Sequence, residues 1–416
     1  MDEKEEKEQP RTGTFTEAIH YKENLEEEFV GYCKDNQYEY SQPLLLIPGE
    51  DDPSVTFTSA TINSWKEYLT GKKDLPSPGL FTIQPCLRTQ NLASIYDVKK
   101  MPKFGSFFVM GGIIAPPERR DDIYQEAISF LTSKMGVAEK EITVHISSSQ
   151  PEISECIEHG PNLDVKTDEI NYYQWKYGIE GVRGEGLTIS VLNKELEERQ
   201  EIGNVVVIKR NDKAVAVEWG FGMETTTARL LSLPHPIAAS QATCSLGEKV
   251  VSSPAGVRLA DSIMAIAALF ANGVTFEHSQ RNVTRVLQKY TRGTAYLASL
   301  LKIEPSEIIQ TVRVAANSIK EGCKIVDKDI KQLSDYLVRT RERHNRFITS
   351  AIDFLSNPIY HDSPERLAKT LKKSARQSGL NNPEVIWGII YYNQHLFSKE
   401  QYINIKNVFQ PEQNNA

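Results

Sequence analysis

The chain has 416 residues, 40% hydrophobic and 25% charged, a composition that suits a folded protein of two or three domains. Its start, MDEKEEKEQP, is acidic and polar where a secretory signal is basic and then apolar, and no apolar run is expected to reach the roughly 18 residues of a membrane helix. The net charge of −7 hides an asymmetry: residues 255–416 carry +7 and the remainder −14, so the basic part is expected to meet an anion, with nucleic acid as the first candidate and a solvated lysine-rich face as the plain alternative.

Residues 1–14 read as a disordered acidic tail, followed by a mixed region over 15–254. SQPLLLIP and SVTFTSA are two short extended pieces separated by the turn-rich GEDDP. GLFTIQPCLR and KFGSFFVMGGII are strand-like apolar runs bounded by Pro and Gly. A helix is expected at 120–135, with Ile123, Ala127, Phe130 and Leu131 on one face. LTISVLN, GNVVVIKR and KAVAVEWGFGME are three further strands, the last two joined by NDK as an antiparallel hairpin.

From about 254 the pattern turns helical: VRLADSIMAIAALFANGV, then 279–300, 305–320, 327–355, 363–378 and 383–396. The expected architecture is therefore α+β: an antiparallel sheet flanked by helices over 15–254, an all-helical domain over 255–400 and a tail over 401–416. Five cysteines (33, 86, 156, 244 and 323) show no metal-ligand spacing and read as buried or incidental thiols in a reducing, cytoplasmic setting.

Six segments in order over about 290 residues resemble the catalytic core of alanyl-tRNA synthetase, a class II aminoacyl-tRNA synthetase. They are DDPSVTFTSA (51–60), QPCLR (84–88) with GSFFVMGG (105–112), WKYGIEGVRGEG (175–186), EIGNVVVIKR (201–210), EWGFGMETTTAR (218–229) and VRLADSIMAIAALFANGV (257–274). The resemblance implies a class II synthetase-like fold and ATP-dependent activation of a small amino acid, alanine first, with ATP and Mg²⁺ as cofactors and the tRNA acceptor stem as partner. A carrier protein or small-molecule acceptor, or a non-catalytic tRNA- or amino-acid-binding module, are the alternatives. No membrane partner is expected.

Activation joins a carboxylate to the α-phosphorus of ATP, and a guanidinium serves this well because it binds carboxylate and phosphate oxygens bidentately. By the resemblance, Arg88 is the catalytic clamp, and Arg88, Phe108, Gly222, Glu224 and Arg229 bind ATP; Phe107 or Phe108 stacks on adenine, since an alternating strand turns only one of them to the ligand, with Phe108 the first choice. Trp175, Asn204, Glu218 and Gly220 form the amino-acid pocket: Glu218 faces the substrate ammonium, Asn204 offers an amide and Trp175 a wall. No protein-bound metal site is expected.

The pattern departs from the family at Thr225, where an arginine is usual, so Arg229 one turn on is the expected stand-in. Val109 stands at a family glutamate. HSQRNVTRVLQKYTR (278–292) replaces the family's acceptor-reading segment, yet Arg281, Arg285, Lys289 and Arg292 make a basic helical stripe suited to tRNA phosphates, and Lys369, Lys372 and Arg376 a second. The eight histidines include no pair at the editing domain's spacing, so a form without that domain and without the C-terminal module is expected.

Overall fold

A computed structural model describes residues 13–48, 55–150, 153, 163–168, 173–355 and 364–409. The GEDDP turn, Cys156, most of the acidic tail and residues 410–416 lie outside the described residues. The chain divides into two compact units, Met1–Arg88 with Lys103–Cys244, and Thr89–Pro102 with Ser245–Ala416. The expected boundary at 254 thus falls ten residues later than the division found, and residues 89–102, between two strands of the first unit, group with the second.

The first unit holds one mixed sheet. Its strands are β1 (Glu39–Tyr40), β2 (Leu80–Leu87), β3 (Phe107–Ala115), β4 (Ile142–Ser147), β5 (Asp164–Asp168), β6 (Gln174–Lys176), β7 (Val182–Asn193), β8 (Glu198–Arg210) and β9 (Lys213–Gly222). They run in the order β1-β2-β3-β9-β8-β7-β4-β5, with β6 also on β7. The central pairs are antiparallel, as expected, while β1–β2 and β4–β5 are parallel. At the β8–β9 turn Asn211 and Asp212 have φ of 49° and 66°, the left-handed pair that a two-residue hairpin needs and that Asn and Asp tolerate.

Strand alternation gives the sheet two unlike faces. On one, helices α1 (Gly13–Asp35) and α2 (Arg120–Ser129) cover a core of Phe29, Phe130, Trp219 and Phe221, whose rings lie 5.0–6.0 Å apart. Ile123, Ala127, Phe130 and Leu131 are buried there as expected, although the helix continues past Ser129 as a π-helical turn over Phe130–Lys134. On the other face, the Thr61–Trp65 turn packs a smaller cluster including Trp65, Leu80, Ile114, Val206 and Ile208.

The described parts of SQPLLLIP and SVTFTSA form no regular strand, but each touches β2: Ser41 donates to the Phe81 carbonyl at 2.8 Å and Thr58 accepts from the Leu87 N–H at 2.9 Å. They hold each other through Thr58, whose N–H bonds the Leu46 carbonyl at 2.9 Å and whose hydroxyl bonds that of Leu45 at 2.7 Å. Pro43, Pro48 and their neighbours leave too few donors for a regular ladder.

The second unit contains α4 (Pro254–Ala271), α5 (Arg281–Leu300), α6 (Pro305–Ile319), α7 (Asp327–Leu355), α8 (Pro364–Gln377), α9 (Pro383–Tyr392) and α10 (Lys399–Phe409). Ser253 caps α4 by accepting from the Gly256 N–H, with Pro254 in the first turn. The expected tail at 401–416 is therefore helical to Phe409. By length and composition α4, at mean hydropathy 1.4, is able to cross a membrane, which corrects the expectation that no such run exists; 94% of it is buried.

The 89–102 segment is tied within this unit. Arg258 of α4 donates from Nε to the Asp97 carbonyl at 2.6 Å and from its terminal nitrogens to Ser94 Oγ at 3.1 Å and the Lys100 carbonyl at 3.0 Å. Ile95 lies so close over Gly293 of α5 that a Cβ there would meet it at 2.1 Å.

Candidate active site

The two-residue repeat brings Thr82, Gly112, Gly220, Asn204 and Thr188 into one row across β2, β3, β9, β8 and β7, on the face away from α1. The glycines open this row. A Cβ on Gly112 would meet Thr61 Cγ2 at 2.8 Å, so the bare position admits the turn that carries Thr61. A Cβ on Gly220 would lie 3.4 Å from Met110 Cε, 3.6 Å from Thr61 Oγ1 and 3.9 Å from Glu218 Oε1.

Glu218 is 7% exposed and accepts from the Thr61 hydroxyl at 2.7 Å. Burial pushes its carboxyl up to about 7, against the lowering effect of that hydrogen bond. Tyr177 closes the far side. Its hydroxyl is buried over Gly184 beside Val206, with no hydrogen-bond partner among the described residues, and burial and then the Glu218 charge raise its pKa. Trp175 pairs with Gly184 on β6 and β7 and packs, partly buried, against the same small cluster. Asn204 Oδ1 accepts from the Thr188 hydroxyl at 2.7 Å, which fixes the amide so that its NH₂ is the group left to donate elsewhere.

A second, cationic zone lies at the ends of β2 and β3. Arg88 donates from Nε to the Ser59 carbonyl at 3.0 Å, and its guanidinium stacks 4.8 Å from the centre of the Phe108 ring. Phe107 is buried while Phe108 is partly exposed, so Phe108 shares the face of Arg88. Arg229, on α3 (Met223–Leu230), is partly buried, and its Nε has no hydrogen-bond partner among the described residues. Burial lowers the pKa of both guanidiniums, and Glu201 opposes this at both. A register shift in β7–β8 leaves Ile202 as an extra residue between Glu201, opposite Ser190, and Gly203, opposite Ile189. Such a bulge changes the alternation, which turns Glu201 toward the two arginines.

Other expected site residues are placed differently. Glu224 is buried; it accepts from the Val109 N–H at 2.9 Å and pairs with Lys22 of α1 at 3.5 Å, so both its oxygens are already engaged. Val109 packs against the aromatic core, which suits an apolar side chain. Gly222 ends β9 as the N-cap of α3, and a Cβ there would lie 3.2 Å from Thr225 Oγ1. In the second unit Arg281, Arg285, Lys289 and Arg292 are all exposed on α5, and Lys369, Lys372 and Arg376 are exposed on α8.

The sequence reading missed Thr61, Tyr177 and Glu201. Thr61 and Tyr177 lie in quoted or adjoining segments but outside any repeat, and only EIGN offered a signal for Glu201.

One face of the sheet is thus sealed by aromatic rings, while Arg88, Phe108, Glu218, Gly220 and Asn204 share the other, and the Glu201 charge acts on both Arg88 and Arg229. Residues 24–217 match the family described as tRNA synthetases class II (A). Among curated relatives, the chain is similar to the alanine–tRNA ligase of Fusobacterium nucleatum subsp. nucleatum, 32% identical over 88 residues, covering 21% of this chain and 10% of that protein. The alanine–tRNA ligase of Leifsonia xyli subsp. xyli is 36% identical over 91 residues, 22% of this chain and 10% of that one. That of Picosynechococcus sp. is 19% identical over a longer alignment, 79% of this chain and 42% of that protein. The alignments to the first of these relatives thus span about a tenth of their length. The asparaginyl-tRNA synthetase structure from Pyrococcus horikoshii is 11% identical with a TM-score of 0.34, covering 56% of this chain and 67% of that one.

Proposed function

We propose that the protein activates a small amino acid, alanine first, with ATP and passes it to tRNA. The observation that carries this reading is the open sheet face, where the Arg88 guanidinium and the Glu218 carboxylate occur with a glycine-lined row, while Arg229 shares with Arg88 the charge of Glu201. The substrate carboxylate oxygen attacks the α-phosphorus, and pyrophosphate leaves with the bridging oxygen. Arg88 is fitted to span the incoming carboxylate and the α-phosphate, because its Nε is anchored on Ser59 and its plane is held by Phe108. Phe108 then has one ring face on Arg88 and leaves the other for adenine. Arg229 offers a buried, unfilled Nε–H to the outer phosphates. Glu218 accepts from the ammonium, Asn204 donates, and Tyr177 and Trp175 bound the side-chain space.

Class II synthetases in general use ATP and a divalent metal. No group of three or more His, Cys, Asp or Glu side chains stands ready for an ion among the described residues. Mg²⁺ is ordinarily held by one or two carboxylates together with phosphate oxygens, so Glu201 beside the arginines fits that role. The ion would offset phosphate charge. On the acceptor side, the exposed stripe on α5 supports phosphate contacts that position RNA without reading its sequence.

The test is ATP–pyrophosphate exchange with each of the twenty amino acids, followed by tRNA charging. Exchange with alanine and charging of its tRNA are expected. Exchange without charging selects a carrier protein or small-molecule acceptor, and no exchange with any amino acid overturns the reading.

A further inference from the structure

Glu218 is a difficult group to keep useful. A carboxylate this deeply buried resists ionisation, and an amine is held far better by a charged acceptor than by a neutral acid. Its hydrogen-bonding oxygen is fixed by one hydroxyl, that of Thr61, which is fully buried and 157 residues away in the chain. Thr61 is itself seated by the absence of a side chain on Gly112, since a Cβ there would fall 2.8–3.1 Å from three of its atoms. The turn is further pinned by Asn63, whose Oδ1 accepts from the Ser59 and Ala60 N–H groups at 3.1 and 3.0 Å. Ser59 also supplies the carbonyl that anchors Arg88. One short segment, 59–63, therefore contacts both the carboxylate and the arginine of the site.

We propose that Thr61 is the positioning residue for Glu218, holding that carboxylate aimed at the amino group of the substrate. The inference rests on the reading of Glu218 given above. Thr61 touches no substrate atom; it acts by donating to Oε1 and leaving Oε2 for the amine. The groups facing Glu218 are few. Met110, Gly112 and Ile114 on β3, Val206 on β8 and Gly220 on β9 do not titrate, and Tyr177 is the titratable group that feels its charge. Loss of the Thr61 hydroxyl thus favours the protonated acid and leaves the amine with a weaker acceptor near neutral pH.

The experiment uses the full chain in two measurements. Glu218 is titrated by carboxyl carbon NMR, with Glu218→Gln identifying its signal, and L-alanine binding is measured by calorimetry from pH 6 to 9. Thr61→Val, which removes the hydroxyl at nearly constant volume, is expected to raise the Glu218 midpoint by about one pH unit. From a starting midpoint of about 7, that shift cuts the ionised fraction at pH 7 about fivefold, so alanine binds about fivefold more weakly, with most of the gap closing by pH 9. Thr61→Ser is expected to restore both readings. Thr61→Ala, which adds no atom to the buried turn, gives the same two readings should the valine variant not fold. An unmoved midpoint overturns the positioning role outright. A moved midpoint with unchanged alanine affinity at every pH overturns the reading of Glu218 as the amine acceptor, and with it the purpose assigned to Thr61. A loss of affinity that is equal at pH 7 and 9 marks a merely structural role and also overturns the proposal.

Discussion

The two faces of the central sheet are built by the same strands and do opposite things. Trp219 and Phe221 point into a buried aromatic core with Phe29 and Phe130, while Glu218 and Gly220, one residue before each, point to the open face. The sealed face stabilises the chain by burying large rings, each contributing roughly 1.5–3 kcal/mol. The open face carries a carboxylate held away from water, the partly buried Arg88 and glycines that forgo side-chain packing. Stability and ligand binding are therefore separated by the two-residue period of a strand, and a substitution should reveal which face it lies on.

The sharpest break is on the sealed side. Phe29 touches Phe81, Phe130, Trp219 and Phe221 edge-on and is fully buried. Phe29→Ala is expected to cost about 3–5 kcal/mol in urea denaturation, enough to unfold the unit in large part.

On the open side the sign reverses. The Glu218 carboxyl lies at about 7 in the folded chain against 4.5 for the ordinary group. The folded state thus holds a proton that the unfolded state releases between those values. The stabilisation is complete below about pH 4.5 and is lost as pH rises through 7. Glu218→Gln, a neutral group of the same shape, removes that loss. Its stability relative to the unaltered protein is expected to rise by roughly 3 kcal/mol between pH 4 and pH 8, read from urea midpoints at the two ends. A constant difference would mean that the carboxyl is not perturbed.

Much of this contrast was legible in the sequence. The runs around β2, β3, β8 and β9 carry strand composition, and the hairpin at Asn211–Asp212 is written in its turn residues. Arg88, Phe108, Asn204 and Glu218 stand in ordered motifs, and the structure brings all four to one face. Thr61 was not legible because its partner is 157 residues away and no local pattern links the two. Glu201 was hidden by the bulge at Ile202, since an extra residue changes which side chains share a face and period-two reading assumes there is none. Glu224 sits in the right motif, but tertiary contacts from Lys22 and Val109 claim its oxygens. Helix α1 was overlooked for a different reason: its charged residues, among them three consecutive glutamates, obscure the spacing of Leu25, Phe29 and Cys33 that faces the core.

The direct test of the two-face account is made on Arg88, where the fold and the proposed chemistry meet most closely. Among the described residues its guanidinium donates to the Ser59 carbonyl and stacks on Phe108. Arg88→Ala should therefore lower unfolding free energy by only about 1 kcal/mol. The same variant should lower alanine-dependent ATP–pyrophosphate exchange by about 10²–10³-fold, the usual cost of removing a charge-stabilising donor from a transition state. Exchange and stability measured on one preparation decide the matter. A large loss of exchange in a chain of nearly unaltered stability is the predicted result; exchange that survives, or that falls only in step with unfolding, contradicts the account.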